Sequence, residues 1–284
     1  MTKVLILGSS GMLGSQIFKF TSKLKKKKFK FFYSSRKISK DKIFFDVLKK
    51  KTYKNIEVIR PDYIINCIGL LKSRISKNTQ ENKKQFFKIN SSFPIYLSKK
   101  FKNSKIIHIS TDGIFNGAKG NYIEIDKPTA NDIYGLSKRK GEISKKNVMN
   151  IRCSIIGLER GTNYSILSWF IKNKSKELNG YNDQFWNGIT THALSKICIG
   201  IIEKNLFKNG LYHIFSKKKV SKYKLLCIFN KFLISKKKII LSVNSGNPID
   251  MTLSTMNKKY ILNIWKSSGY KSNPTIENLI KELI

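Results

Sequence analysis

A chain of 284 residues with 40% hydrophobic content is long enough to bury a sizeable core in one domain with a smaller lobe. Its formal net charge of +39 rests on lysines that accompany abundant Asn, Ile and Phe and only five Pro, the drift of an A- and T-rich genome; with no RNA-binding signature or zinc finger, this predicts nonspecific, salt-sensitive stickiness and no specific nucleic-acid partner. Four cysteines without C-x-x-C pairing, three histidines without ligand spacing, no signal peptide and no run of about 18 apolar residues argue against a disulfide framework, a metal site and a membrane span, so a cytoplasmic protein is expected.

The first predicted element is the strand Val4–Leu7, apolar on both faces as a central parallel strand must be. It runs straight into Gly8, Gly11 and Gly14. Glycines there allow a tight turn, let backbone N–H groups approach a pyrophosphate and let the next helix pack close with its N-terminus toward the phosphates. The segment Gly8, Ser10, Gly11, Met12, Leu13 and Gly14 is therefore a candidate dinucleotide site, although its spacing is G-x-x-G-x-x-G and not G-x-G-x-x-G.

Further strands are predicted at Phe29–Tyr33, Phe44–Phe45, Asp62–Cys67, Lys105–Ser110, Val148–Cys153 and Gly210–Phe215, alternating with helical stretches as in a parallel sheet with right-handed crossovers. Thr79–Phe101 reads as one helix that carries Asn90 and is interrupted or kinked at Pro94. Asn131–Asn147 is compatible with a helix. Beyond Gly157 helices are predicted at Asn163–Asn173, Tyr223–Leu233 and Thr275–Leu283, with Gly180–Asn187 as a loop.

A second constellation is His108-Ile109-Ser110-Thr111-Asp112, followed by Tyr134-Gly-Leu-Ser-Lys138 and Gly141-Glu142. Tyr-x-x-x-Lys also occurs at Tyr33/Lys37 and Tyr96/Lys100, but only Tyr134/Lys138 lies downstream of a hydroxyl-rich strand end and inside a helix-compatible stretch. At i and i+4 the two side chains share one helix face. A lysine beside a phenol favours the phenolate, which predicts a Tyr134 pKa below the usual value of about 10.

The glycine loop, the Ser-Thr-Asp strand end, the YGLSK-x-x-GE stretch, Ile151–Gly157 and Asp183-Gln184-Phe185 fall in the order seen in extended short-chain dehydrogenases/reductases. They most resemble the dTDP-4-dehydrorhamnose reductase branch, from about residue 3 to Phe215. The resemblance implies an α/β fold: a Rossmann-type doubly wound parallel sheet with a smaller C-terminal substrate lobe. It divides the chain into an NADP-binding part, residues 1–157 with contributions from about 188–215, and a lobe of residues 158–187 and 216–284. It gives Thr111 the substrate carbonyl, Tyr134 the exchanged proton, and Lys138 the nicotinamide ribose and the tuning of Tyr134. Cys67, Ile68 and Gly69 resemble the loop beside the cofactor, Asp46 the position that contacts adenine, and Asn90 is counted with them. Asp112, Arg152, Gln184 and Trp186 are assigned to substrate, with Arg152 and Arg160 offered to a diphosphate. The family usually has an aromatic residue where Gly113 stands and often Gly-Ala-Pro where Trp186-Asn187-Gly188 stands.

At the end of the second strand, Ser34-Ser35-Arg36-Lys37 lacks the carboxylate that binds a ribose 2′-hydroxyl, whereas Arg36 can hold a 2′-phosphate, so NADPH is preferred over NADH. Dehydratases of the superfamily carry an Asp-Glu pair after the Thr; here Asp112 is followed by Gly113, and elimination lacks a base. Reduction of a nucleotide-linked 4-keto-6-deoxy sugar for a surface polysaccharide is the expected activity. A nucleotide-sugar epimerase and a non-catalytic NADP-binding regulatory subunit stay open, as does a homodimer.

Overall fold

The computed structural model describes residues 1–24, 28–71, 79–159 and 164–283. The first half runs β1 (Thr2–Leu7), α1 (Met12–Thr21), β2 (Phe29–Ser35), β3 (Ile43–Phe44), α2 (Tyr53–Glu57), β4 (Tyr63–Asn66), α3 (Gln80–Phe87), α4 (Phe93–Lys100), β5 (Lys105–Ile109), α5 (Ile133–Lys140) and β6 (Val148–Arg152). The second continues with β7 (Ile155–Ile156), α6 (Ile166–Lys172), β8 (Glu177–Tyr181), β9 (Gln184–Trp186), β10 (Ile189–Thr190), α7 (Thr191–Glu203), β11 (Gly210–His213), β12 (Val220–Ser221), α8 (Lys222–Phe232), β13 (Ile239–Val243), β14 (Ile249–Asp250), α9 (Lys258–Ser267) and α10 (Ile276–Lys281).

Seven parallel strands form the central sheet in the order β11-β6-β5-β4-β1-β2-β3. Val4–Leu7 is wholly buried because helices cover both faces. On one side Leu13 and Ile17 of α1, the apolar residues of α7 and Trp265 of α9 pack together; on the other, Phe45, Ile56, Phe93 and Leu97 pack beneath Leu5 and Leu7. The strand order reverses between β1 and β4, and ligands of such sheets sit outside the carboxyl ends at that point. Gly8, Cys67, Ser110 and Cys153 follow directly on the carboxyl ends of β1, β4, β5 and β6.

Several elements differ from their sequence-based expectation. The rod from α3 to α4 is not broken at Pro94: a π-helical turn, Lys88–Ser92, joins the two helices. Pro94 has no N–H for the Asn90 carbonyl and its ring crowds that oxygen; the wider turn removes the conflict. The helix predicted within Asn131–Asn147 stops at Lys140, where Gly141 is pressed against the Asn90 carbonyl so closely that a Cβ would lie 1.9 Å from the oxygen. Gly180–Asn187 is not a loop, since it holds the end of β8 and all of β9, which β12 and β14 flank. Helix α7 falls within the 188–215 contribution that the resemblance implies, whereas α9 was not anticipated.

Beyond β11 the chain returns to the sheet's carboxyl edge. Residues 249–256 are laced to residues 117–124 by Asp250 N–H to the Gly117 carbonyl (2.7 Å), Tyr122 N–H to Thr252 (2.9 Å) and Ser254 N–H to Tyr122 (2.7 Å). The Glu124 carboxylate caps this seam by accepting from Thr255 Oγ1 and Met256 N–H. Among the described residues, no helix is long and apolar enough to cross a membrane.

Candidate active site

The glycine turn after β1 is built for close approach. Gly8 has φ +81°, and a Cβ on Gly14 would lie 2.2 Å from the Gly8 carbonyl oxygen. Gly11 N–H donates to that same carbonyl (3.0 Å), and Gly11 caps α1 with no side-chain acceptor and no acidic residue in the first turn. The N–H groups around Met12 and Leu13 are thus left to an external anion. Ser34, buried at the end of β2, anchors the turn: its Oγ accepts from Gly8 N–H (3.2 Å) and its carbonyl from both Ser9 N–H and Ser9 Oγ (2.9 Å each). Ser10 is exposed at the tip. A cradle that side chains would fill, facing an uncapped helix end, fits a dinucleotide diphosphate.

The rest of the predicted cofactor track follows the sheet edge. Arg36, just past β2, is exposed and has no hydrogen bond or ion pair among the described residues. Asp46 stands beyond β3, where one carboxylate oxygen accepts from Leu48 N–H (2.9 Å). Cys67 leaves β4 with its N–H on the Leu7 carbonyl (3.1 Å), and Ile68 packs against Gly8. Burial raises the Cys67 and Cys153 thiols well above their ordinary range, which disfavours their thiolates. Asn90, presented by the π-helical turn, binds Leu70 through N–H to Oδ1 (2.8 Å) and Nδ2 to the carbonyl (3.1 Å), and donates to Ser137 Oγ (3.0 Å). It thereby ties the loop after Gly69 to α5.

The proposed reacting groups converge at the ends of β5 and α5. The Thr111 hydroxyl accepts from Gly113 N–H (3.0 Å) and donates to Asp112 Oδ1 (3.2 Å), and the Tyr134 ring packs beside it against Gly113. The packing on Gly113 is close: a Cβ there would lie 3.0 Å from the ring edge. Burial pushes Tyr134 up to about 12, and the Thr111 hydroxyl opposes that only in part. The expected lowering by Lys138 is therefore corrected: Lys138 donates its ammonium to the Ile109 carbonyl (2.7 Å), and burial drops its own pKa to about 8. Desolvation is the largest cause at Tyr134, and the nearby carboxylates of Asp112 and Asp132 add to it. Asp112 is raised to about 6 by burial, against hydrogen bonds from Ser154 and Thr111.

Of the residues assigned to substrate, Asp112 joins this cluster and Arg152 does not. Arg152 is 3% exposed and forms a bidentate pair with Glu142, Nε to Oε1 at 2.8 Å and Nη2 to Oε2 at 2.7 Å. Its Nη1 faces His213 Nε2 (3.3 Å) and the Glu124 carbonyl (3.4 Å), while Ser110 Oγ donates to Glu142 (2.6 Å). The guanidinium is committed inside the fold because a buried arginine needs a paired carboxylate. Arg160 lies outside the described residues. On β9, Gln184 and Trp186 share one face, since strand side chains alternate; the Trp186 indole lies against Gly188 beside the Ser154 carbonyl. Ser34, Ser137 and Ser154 were missed as supports: serine carries no period or spacing that marks it.

The family model for the RmlD substrate binding domain matches residues 1–253. The spore coat polysaccharide biosynthesis protein SpsK of Bacillus subtilis is 27% identical over 225 residues, 75% of this chain and 73% of that protein. A dTDP-4-dehydrorhamnose reductase of Aggregatibacter actinomycetemcomitans is 31% identical over 146 residues, 47% of this chain and 49% of that one. The crystal structure of dTDP-4-dehydrorhamnose reductase from Bacillus anthracis in complex with NADP superposes with a TM-score of 0.78 at 20% identity, covering 99% of this chain and 98% of the other. Because the family match extends over far more than half of its length, the chain belongs to the dTDP-4-dehydrorhamnose reductase-like family of extended short-chain dehydrogenases/reductases, NAD(P)-dependent oxidoreductases.

Proposed function

We propose that the protein reduces a nucleotide-linked 4-keto-6-deoxy sugar with NADPH, in the cytoplasm and for the synthesis of a surface polysaccharide. The observation that carries the reading is the convergence of a protonated phenol and a hydroxyl: Tyr134 at about 12 keeps its proton at neutral pH, and Tyr134 and the Thr111 hydroxyl both lie against Gly113. Such a pair is an acid for a carbonyl oxygen, and Gly113 supplies no second carboxylate for elimination. The family membership and the names of the relatives support the substrate class, and that of the spore coat relative supports the pathway.

The glycine turn and α1 would hold the diphosphate, Arg36 the 2′-phosphate, Asp46 the adenine, and Cys67–Gly69 with Asn90, Tyr134 and Lys138 the nicotinamide end. NADPH, when bound, supplies the hydride. Thr111 orients the sugar carbonyl, Tyr134 gives its phenolic proton to that oxygen, and the buried ammonium of Lys138 favours the resulting phenolate. Residues 1–157 with 188–215 carry the cofactor in this reading, and residues 158–187 and 216–284 carry the sugar-nucleotide. The test is NADPH oxidation, followed by absorbance, against a panel of nucleotide-linked 4-keto-6-deoxy sugars. Oxidation with at least one is expected. NADPH binding without turnover on any of them would overturn the reading in favour of a regulatory subunit, and isomerisation without net oxidation would indicate an epimerase.

A further inference from the structure

Arg152 is unavailable to a substrate phosphate, yet a nucleotide-linked sugar carries a diphosphate. Lysines are too abundant on this surface for exposure alone to single one out. The β9 face that carries Gln184 and Trp186 narrows the choice, because Trp186 lies beside Ser154, which in turn bonds the Asp112 carboxylate. That contact brings the face to the carboxyl end of β6, where Ser154 follows Cys153. The next cation along it is Lys222, whose Nζ reaches Gln184 Oε1 at 2.5 Å. The opposite face of β9 shows Phe185 with Lys219, which is engaged by Asp250 (2.9 Å).

We infer that Lys222 is a substrate-binding residue that holds the diphosphate of the nucleotide-linked sugar, with Gln184 as its positioning partner; this rests on the function proposed above. Three features of Lys222 support the assignment. Its charge has no carboxylate ion-pair partner among the described residues, and Asp183, whose charge acts on it, accepts from Ser245 N–H and Oγ (2.9 Å each to Oδ2). The side chain is exposed, and partial desolvation of the ammonium lowers its pKa against the opposing charge of Asp183. It is also the first residue of α8, where the helix dipole disfavours a cation. An exposed ammonium held by a neutral amide oxygen, with no carboxylate partner among the described residues, is available to an external anion.

The experiment is calorimetric titration of the intact protein with dTDP and UDP, and separately with NADPH, in wild type and in Lys222→Met, Lys222→Arg and Lys224→Met. Lys224, two residues on and exposed like Lys222 but without a side-chain bond to Gln184, controls for general surface charge. Lys222→Met is expected to weaken the nucleoside diphosphates about 10- to 100-fold and to leave NADPH affinity unchanged, with Lys222→Arg close to wild type and Lys224→Met without effect. Equal diphosphate affinity in wild type and Lys222→Met, or equal losses in the Lys222→Met and Lys224→Met proteins, would overturn the inference. Because the readout is binding, Lys222-dependent capture of a diphosphate in a protein that reduces no keto sugar would sustain this site while refuting the proposed reaction.

Discussion

Replacing Arg152 with Met separates a structural arginine from a ligand-binding one. The side chains of Arg152 and Glu142 are 4% and 10% exposed, so the substitution leaves a buried carboxylate with only Ser110 Oγ to satisfy it and removes the donor facing His213. Breaking a buried pair by deleting one partner costs roughly 3–5 kcal/mol. At roughly 2–4 °C per kcal/mol for a chain of this size, the melting temperature should fall by about 10 °C. Replacing both partners, Arg152→Met with Glu142→Leu, removes the stranded charge and should recover at least half of the loss, a coupling read from a double-mutant cycle of denaturant or thermal unfolding. Well below its melting point, the single variant should keep the wild-type KM for sugar-nucleotide. A melting temperature within about 2 °C of wild type together with a raised KM would refute the reasoning and return the guanidinium to the substrate.

Tyr134→Phe should retain NADPH binding and lose turnover by roughly 10²–10⁴, the usual worth of a positioned acid; near-normal turnover in a stopped-flow assay would remove the phenol from the mechanism. Arg36→Ala should weaken NADPH far more than NADH in fluorescence titrations, because only NADPH carries the 2′-phosphate, and equal losses would make Arg36 a surface charge. The pH profile of kcat/KM should decline as pH rises through about 8, the point at which Lys138 loses its charge in the free enzyme. Its pKa is depressed, so the charged form is the acid-side form, and Lys138→Arg should abolish that decline even if overall activity is low; an unchanged decline in the Lys138→Arg protein would assign it to another group.

What the sequence disclosed depends on how strongly each feature is written in local terms. Val4–Leu7 and the glycines after it are legible because a doubly buried strand must be continuously apolar and a phosphate turn has room for little but glycine. Thr111, Tyr134 and Lys138 are legible by spacing. The direction of the Tyr134 shift was not, because it follows from burial by residues far away in the chain, and neither was the role of Arg152, whose partners Glu142, His213 and Glu124 meet it only in the fold. Helix α7 is buried nearly all round, with apolar residues on every side that mask a helical period. In α9, by contrast, Ile261, Ile264 and Trp265 recur at helical spacing, so that helix could have been found. Pro94 was read correctly as a disturbance, but only the Asn90 carbonyl's surroundings decide that the rod widens instead of breaking.

The seam between residues 117–124 and 249–256 has a consequence for biosynthesis. A chain emerging from the ribosome can pair β1, β2, β4, β5 and β6 once about half of its residues are available, and domains generally fold from the N-terminal side as they are made. The segment just downstream of Thr111 and Asp112 must wait more than a hundred residues for the strand that fastens it, the separation that Tyr122 and Leu253 bridge. A nascent or prematurely terminated chain would therefore present a finished nucleotide turn beside an unfastened substrate edge. Emergence of residues 249–256, more than formation of the sheet, is what lets the substrate edge close.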